Sequence, residues 1–118
     1  MKEVRIVLID NAADSYHWLQ EKASDSKVEM AIVKAIRNKT DILKRDVHYG
    51  QPISKKLIPD TYLKNYGITN LFRLELPHFW RLLYTLKKDP DSSNSILVMI
   101  VDIVDHAAYD KLFGYQKK

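Results

Sequence analysis

The order of apolar runs and polar breaks along the chain assigns most of its elements. Residues 2–9 are β-branched, apolar and short, and Asp10 and Asn11 end them, which predicts a strand. Its near-continuous apolarity predicts burial on both faces, or a sheet edge covered by a helix. Asn11 is suited to cap a first helix by accepting from its free N–H groups, and Ala12, Tyr16, Leu19 and Ala23 then recur at helical spacing until near Ser24. Ser26 and Glu29 have the capping-box form for a second helix. Val28, Ile32, Ala35, Ile36, Ile42 and Leu43 form one apolar stripe on it, with Lys27, Lys34, Lys44 and Arg45 lying off that stripe. An antiparallel helix pair with a basic outer face is expected, broken by Gly50 and Pro52.

Residues 53–57 read as a short basic strand or turn, and residues 59–66 as one or two helical turns stopped by Gly67. The period then changes to two: Arg73 and Glu75 face one way, Phe72, Leu74 and Leu76 the other. Pro77 and His78 predict a turn, residues 79–86 a return strand, and residues 96–101 a last apolar strand beyond the polar loop 88–95. Short connections between the three strands predict an antiparallel meander with the helix pair on one face. The tail after Asp105 turns helical and stops at Gly114. The fold class expected is α+β: an N-terminal strand, a helix pair, an antiparallel β-meander and a short C-terminal helix, in a single domain over residues 1–118.

Composition narrows the chemistry. A chain of 118 residues, 46% hydrophobic, supports one core but not two conventional domains. Without cysteine there is no disulfide framework and no thiolate nucleophile, and a zinc site would have only His and carboxylate ligands, so no metal or cofactor is expected. The apolar runs are far shorter than the roughly 20 residues that span a bilayer, and no secretory signal fits, so a soluble, cytoplasmic protein with no membrane partner is expected. The net charge of +4 is concentrated: residues 27–64 hold nine basic and four acidic side chains, a net +5. Such a field favours polyanions. Lys44, Arg45, Lys55 and Lys56 are the candidates to grip phosphates, which adds affinity and salt dependence without sequence choice; solubility is the ordinary role of such side chains.

The element order, the middle strand reading Trp80, Arg81, Leu82, Leu83, Tyr84, and an end carrying His106, Ala107, Ala108 and Tyr109 resemble the RelE/ParE superfamily of toxin–antitoxin toxins. The match of order covers nearly the whole chain; the motif-bearing part runs from Leu71 to Tyr115. The resemblance implies a cytoplasmic mRNA endoribonuclease that works with the ribosome and without metal. It also implies a cognate antitoxin as a separate partner, lying across an exposed apolar groove on the helix pair and sheet. Other branches of the superfamily lack ribonuclease activity and inhibit DNA gyrase, so a non-catalytic binding protein of the same fold is the alternative.

Metal-free RNA cleavage uses the 2′-hydroxyl against its own phosphate, and the protein must supply a base, cations for the pentacoordinate phosphate and an acid for the departing 5′-oxygen. Arg81 matches the strand arginine of the family, and a guanidinium binds phosphate in bidentate fashion. Arg73 stands where many ribonuclease members place a basic residue. Glu75 replaces a second basic side chain, acting either as a base or as a counter-charge to Arg73. His106 and Tyr109 fit the terminal cluster; an unperturbed imidazole titrates near 6.5, a phenol near 10. No arginine follows Arg81, where some active members carry one. Phe79, Trp80 and Tyr84 are candidates to stack on bases, or to fill the core.

Overall fold

The computed structural model describes residues 2–114, so Tyr115 of the motif-bearing tail lies outside the described residues. Strand β1 (Glu3–Leu8) passes almost directly into helix α1 (Asp10–Ala23). Strand pairing persists to Ile9, whose N–H donates to the Ile100 carbonyl at 3.1 Å, so Ile9 and not Asn11 becomes the N-cap. The abrupt reversal leaves Asp10 at φ 37°, with its carboxylate held by Tyr66 Oη at 2.8 Å. Helix α2 (Lys27–Arg45) starts after Ser26, but Ser26 makes no side-chain cap hydrogen bond, so the expected capping box is not closed. Ala12, Leu19 and Ala23 of α1 and Ile32, Ile36 and Leu43 of α2 are buried as their spacing predicts; Val33 is buried too, whereas Val28 in the first turn stays exposed.

The two helices cover one face of a five-stranded sheet of order β1-β5-β4-β3-β2, completed by β2 (Gln51–Pro52), β3 (Phe72–Glu75), β4 (Arg81–Lys88) and β5 (Ser95–Val104). Strands β3, β4 and β5 form the antiparallel meander, and β1 joins β5 in parallel as a sheet edge. Arg5 on β1 reaches over β5 to Asp89, donating from Nε and Nη2 at 3.1 and 3.0 Å, and so ties the edge strand to the chain just beyond β4. The basic stretch expected as strand or turn is a 3₁₀ turn over Lys55–Leu57, with the strand pairing just before it in β2.

Helices α3 (Asp60–Tyr66) and α4 (His106–Phe113) lie on the opposite face, with Gly67 and Gly114 closing them at φ 64° and 71°, a conformation that glycine adopts without a Cβ clash. The sheet therefore separates two cores. Leu74, Leu76, Leu82, Tyr84, Val98, Ile100 and Ile103 meet α1 and α2, while Leu71, Leu83 and Val101 meet Tyr62 and Tyr109. Each large apolar side chain so buried stabilises the fold by about 1.5–3 kcal/mol.

A bulge decides what the second face contains. The β4–β5 register jumps between Leu83 and Tyr84, so Leu83 pairs with Asp102, Tyr84 pairs with Ile100, and Val101 is the extra residue. Val101 packs in the second core and the adjacent Asp102 reaches Tyr62 of α3 on that same side. Beyond the bulge the alternation resumes shifted, with Ile103 turned to the helix pair.

The turn from β3 to β4 departs from expectation. Phe79, expected at the start of the return strand, lies instead in the Pro77–Phe79 turn, where His78 and Phe79 both take left-handed backbone angles, φ 60° and 64°. Two side-chain-bearing residues in that region cost roughly 1–2 kcal/mol each.

Candidate functional site

Pairing of β3 with β4 sets Glu75 opposite Arg81 and Arg73 opposite Leu83, so period-two alternation brings Arg73, Glu75 and Arg81 to the face covered by α4. The Glu75 carboxylate lies between the two guanidinium groups, 3.2 Å from Arg73 Nε through Oε2 and 3.2 Å from Arg81 Nε through Oε1. Glu75 is the open member, its side chain 59% exposed against 25% for Arg73 and 19% for Arg81.

Tyr109 comes down on this trio from α4. Asp105 caps that helix by accepting from the Ala108 N–H at 2.9 Å, which fixes the first turn and points Tyr109 inward, where it is buried. Arg73 Nη1 donates to Tyr109 Oη at 3.0 Å, and Arg73 Nη2 donates to Gln51 Oε1 at 2.7 Å. The Arg81 guanidinium lies 4.6 Å from the centre of the Tyr109 ring. Arg81 Nη1 is buried with no hydrogen-bond acceptor, and the negative face of that ring offsets part of the resulting cost.

His106 begins α4, three residues and one turn before Tyr109. Its ring centre is 6.2 Å from that of Phe79, and Nε2 is 3.5 Å from Asp110 Oδ2, an ion pair when the imidazole carries a proton. The structure thus brings Arg73, Glu75, Arg81 and Tyr109 into direct contact, with His106 on the turn of α4 beside them.

The basic candidates divide. Lys44 and Arg45 end α2, the layer on the opposite face of the sheet, and Lys44 borders a groove of about 250 Å³ with Ile6, Leu8, Tyr16 and Ile36. Lys55 and Lys56 border another groove, about 320 Å³, with Ile58, Leu63 and Ile68 beside α3. Of the three aromatic candidates, Tyr84 is core: it stacks on Phe72 at 5.1 Å, and its hydroxyl accepts from Gly50 N–H and donates to the Val47 carbonyl. Trp80 stacks on Trp18 at 6.4 Å. Phe79 alone of these three is open to solvent, at 74%. His48 sits edge-on to Phe72, and among the described residues no group of three His, Asp or Glu side chains is placed to hold a metal ion.

Two polar residues escaped the sequence reading. Gln51 was visible only as part of a helix-breaking segment, yet it fixes Arg73. Asp102 is buried and accepts from Tyr62 Oη at 2.6 Å; burial raises its carboxyl pKa, opposed by that hydrogen bond. Burial, followed by the charge of Asp102, raises the pKa of the Tyr62 phenol. The available signal for Asp102 was an acid inside an apolar strand, a residue type rarely buried without a partner. Among the described residues no helix is long and apolar enough to cross a membrane. No family model, curated protein or solved structure matches the chain.

Proposed function

We propose that this chain is a RelE/ParE-type toxin that cleaves mRNA at the ribosome in the cytoplasm, without a metal, and is held silent by a cognate antitoxin. The observation that carries this reading is the joint seating of Arg73 and Arg81 on Tyr109, two fixed cations beside an exposed carboxylate and one helical turn from His106. In the reaction, the RNA 2′-oxygen bonds to phosphorus while the bond to the 5′-oxygen breaks, leaving a cyclic phosphate and a free 5′-hydroxyl. Guanidinium groups held in place before the substrate arrives stabilise the extra negative charge on the pentacoordinate phosphate. His106 exchanges the protons, since an imidazole both accepts and donates near neutrality. Tyr109 positions the arginines. Glu75, whose two oxygens both face guanidinium groups, acts as their counter-charge and yields to the phosphate.

Lys55, Lys56, Lys44 and Arg45 hold RNA or ribosome by charge alone, and the groove beside Lys55 and Lys56 or the one beside Lys44 offers apolar surface to an antitoxin segment. Induced expression should arrest growth, and purified protein with ribosomes and EDTA should cut mRNA. Arg81→Ala should lower cleavage by about 10²–10³-fold and relieve the arrest, as should His106→Ala. Arrest undiminished by both substitutions would remove the assignment.

The neutralising contact of Glu75 favours a second reading, a non-catalytic protein of this fold that inhibits a topoisomerase or serves only as an antitoxin or nucleic-acid partner. It requires arrest or binding with no RNA cleavage in the presence of ribosomes.

A further inference from the structure

Phe79 combines three features that the fold alone does not require. It is 74% exposed, it is held in a left-handed backbone conformation directly after His78 in the same conformation, and its ring lies 6.2 Å from that of His106. Isolated exposed phenylalanines are ordinary, but one kept in solvent by a turn of unfavourable backbone is not explained by packing. The turn joins Glu75 to Arg81, and the His106 ring beside Phe79 stands one helical turn before Tyr109, whose ring seats the Arg81 guanidinium at 4.6 Å, so the exposed aromatic adjoins the cationic site.

The charges around it favour one orientation of a nucleotide, with Glu75 between the arginines as the carboxylate that a phosphate displaces. Arg73 and Arg81 face α4, whereas Trp80 turns to α1, where an open cleft of about 480 Å³ is lined by Trp18, Trp80, Ser15 and the acids Asp14 and Asp105. Carboxylates there would repel a phosphate backbone, which the arginines on the α4 face attract. A π-face stacks on any base, so such a contact adds affinity with little choice of sequence.

We infer that Phe79 is a stacking platform for a nucleobase of single-stranded RNA, the base carried by the nucleotide whose phosphate lies on Arg73 and Arg81. This rests on the reading of the site as an RNA site, and adds to it a base-binding residue. The test uses the full chain and a fluorescein-labelled eight-nucleotide RNA with 2′-O-methyl riboses, which cannot be cleaved, read by anisotropy. Phe79→Ala should weaken binding about 5- to 100-fold, Phe79→Trp should bind as the wild type does, and Phe79→Leu should resemble alanine. On the same strand carrying abasic sites throughout, wild type and Phe79→Ala should bind equally.

Unchanged affinity in Phe79→Ala, full affinity in Phe79→Leu, or an equal loss on the abasic strand would each overturn stacking. Thermal melts of the variants exclude unfolding as the source of a loss, because an exposed ring contributes little to the core. RNA binding with the expected Phe79 pattern, but no cleavage with ribosomes, would remove the ribonuclease reading and leave the platform standing. A wild type that binds no RNA would overturn the platform alone, because the ribonuclease reading is tested with ribosomes present.

Discussion

Tyr109 Oη accepts a hydrogen bond from Arg73 Nη1 at 3.0 Å, while the face of the same ring lies 4.6 Å from the Arg81 guanidinium. One buried phenol thus orients two cations from neighbouring strands. Tyr109→Phe keeps the ring and loses the hydrogen bond, and should lower cleavage by about tenfold, in keeping with one charge-assisted contact. Tyr109→Ala removes the platform as well and should cost about 3–5 kcal/mol of stability, read from urea unfolding. A Tyr109→Phe variant as inactive as Arg81→Ala would assign the hydroxyl a direct chemical step instead.

Glu75 offers a clean discrimination between base and counter-charge. Glu75→Gln leaves the shape of the site and removes the negative charge between the two guanidinium groups, so RNA affinity should rise several-fold and the salt dependence should steepen. Cleavage should be retained. Loss of cleavage by about 10²-fold or more with unchanged binding would identify Glu75 as the general base.

Asp102 should make the fold less stable as pH rises. Its folded-state pKa lies above the unfolded value, so its contribution is fully present below about pH 4 and is lost as pH climbs through the folded value. Asp102→Asn keeps an acceptor for Tyr62 Oη without the charge. The melting temperature of the variant should exceed that of the wild type at pH 7, and the two should converge near pH 3.

Asp89 should act in the opposite sense. Hydrogen bonds from Arg5, and then from the Asp91 N–H, hold its pKa below the ordinary carboxylate value. Its stabilisation is present above about pH 4 and is lost as pH falls through the folded value. Asp89→Asn should lower the melting temperature at pH 7, with the difference shrinking in acid. Hydrogen exchange should show β1 opening first.

Gly50 is required by close approach. A Cβ there would stand 2.8 Å from both Cε1 and Oη of Tyr84, a fully buried side chain stacked on Phe72. Gly50→Ala should destabilise by about 1–3 kcal/mol in urea unfolding, with little effect on RNA affinity.

Apolar period by itself placed the longer elements in order, because a helix stripe and an alternating strand each leave a local signature in sequence, whereas the two-residue β2 fell in the segment read as a helix break. Ile32, Ile36 and Leu43 were legible as one buried helix face, and Arg73 and Glu75 as sharing a side of their strand. The one-turn spacing of His106 and Tyr109 was equally local. What each face would meet was not local, since strand order and register depend on contacts between distant segments. Only the tertiary structure placed β1 beside β5, separated Lys44 and Arg45 from Lys55 and Lys56, and set Tyr109 on both arginines. The extra residue at Val101 shifted the alternation of β5 and turned Asp102 into the second core, where Tyr62 receives it. The left-handed turn lifted Phe79 out of the strand its composition predicted, because a backbone angle at a residue other than glycine leaves no mark in the sequence.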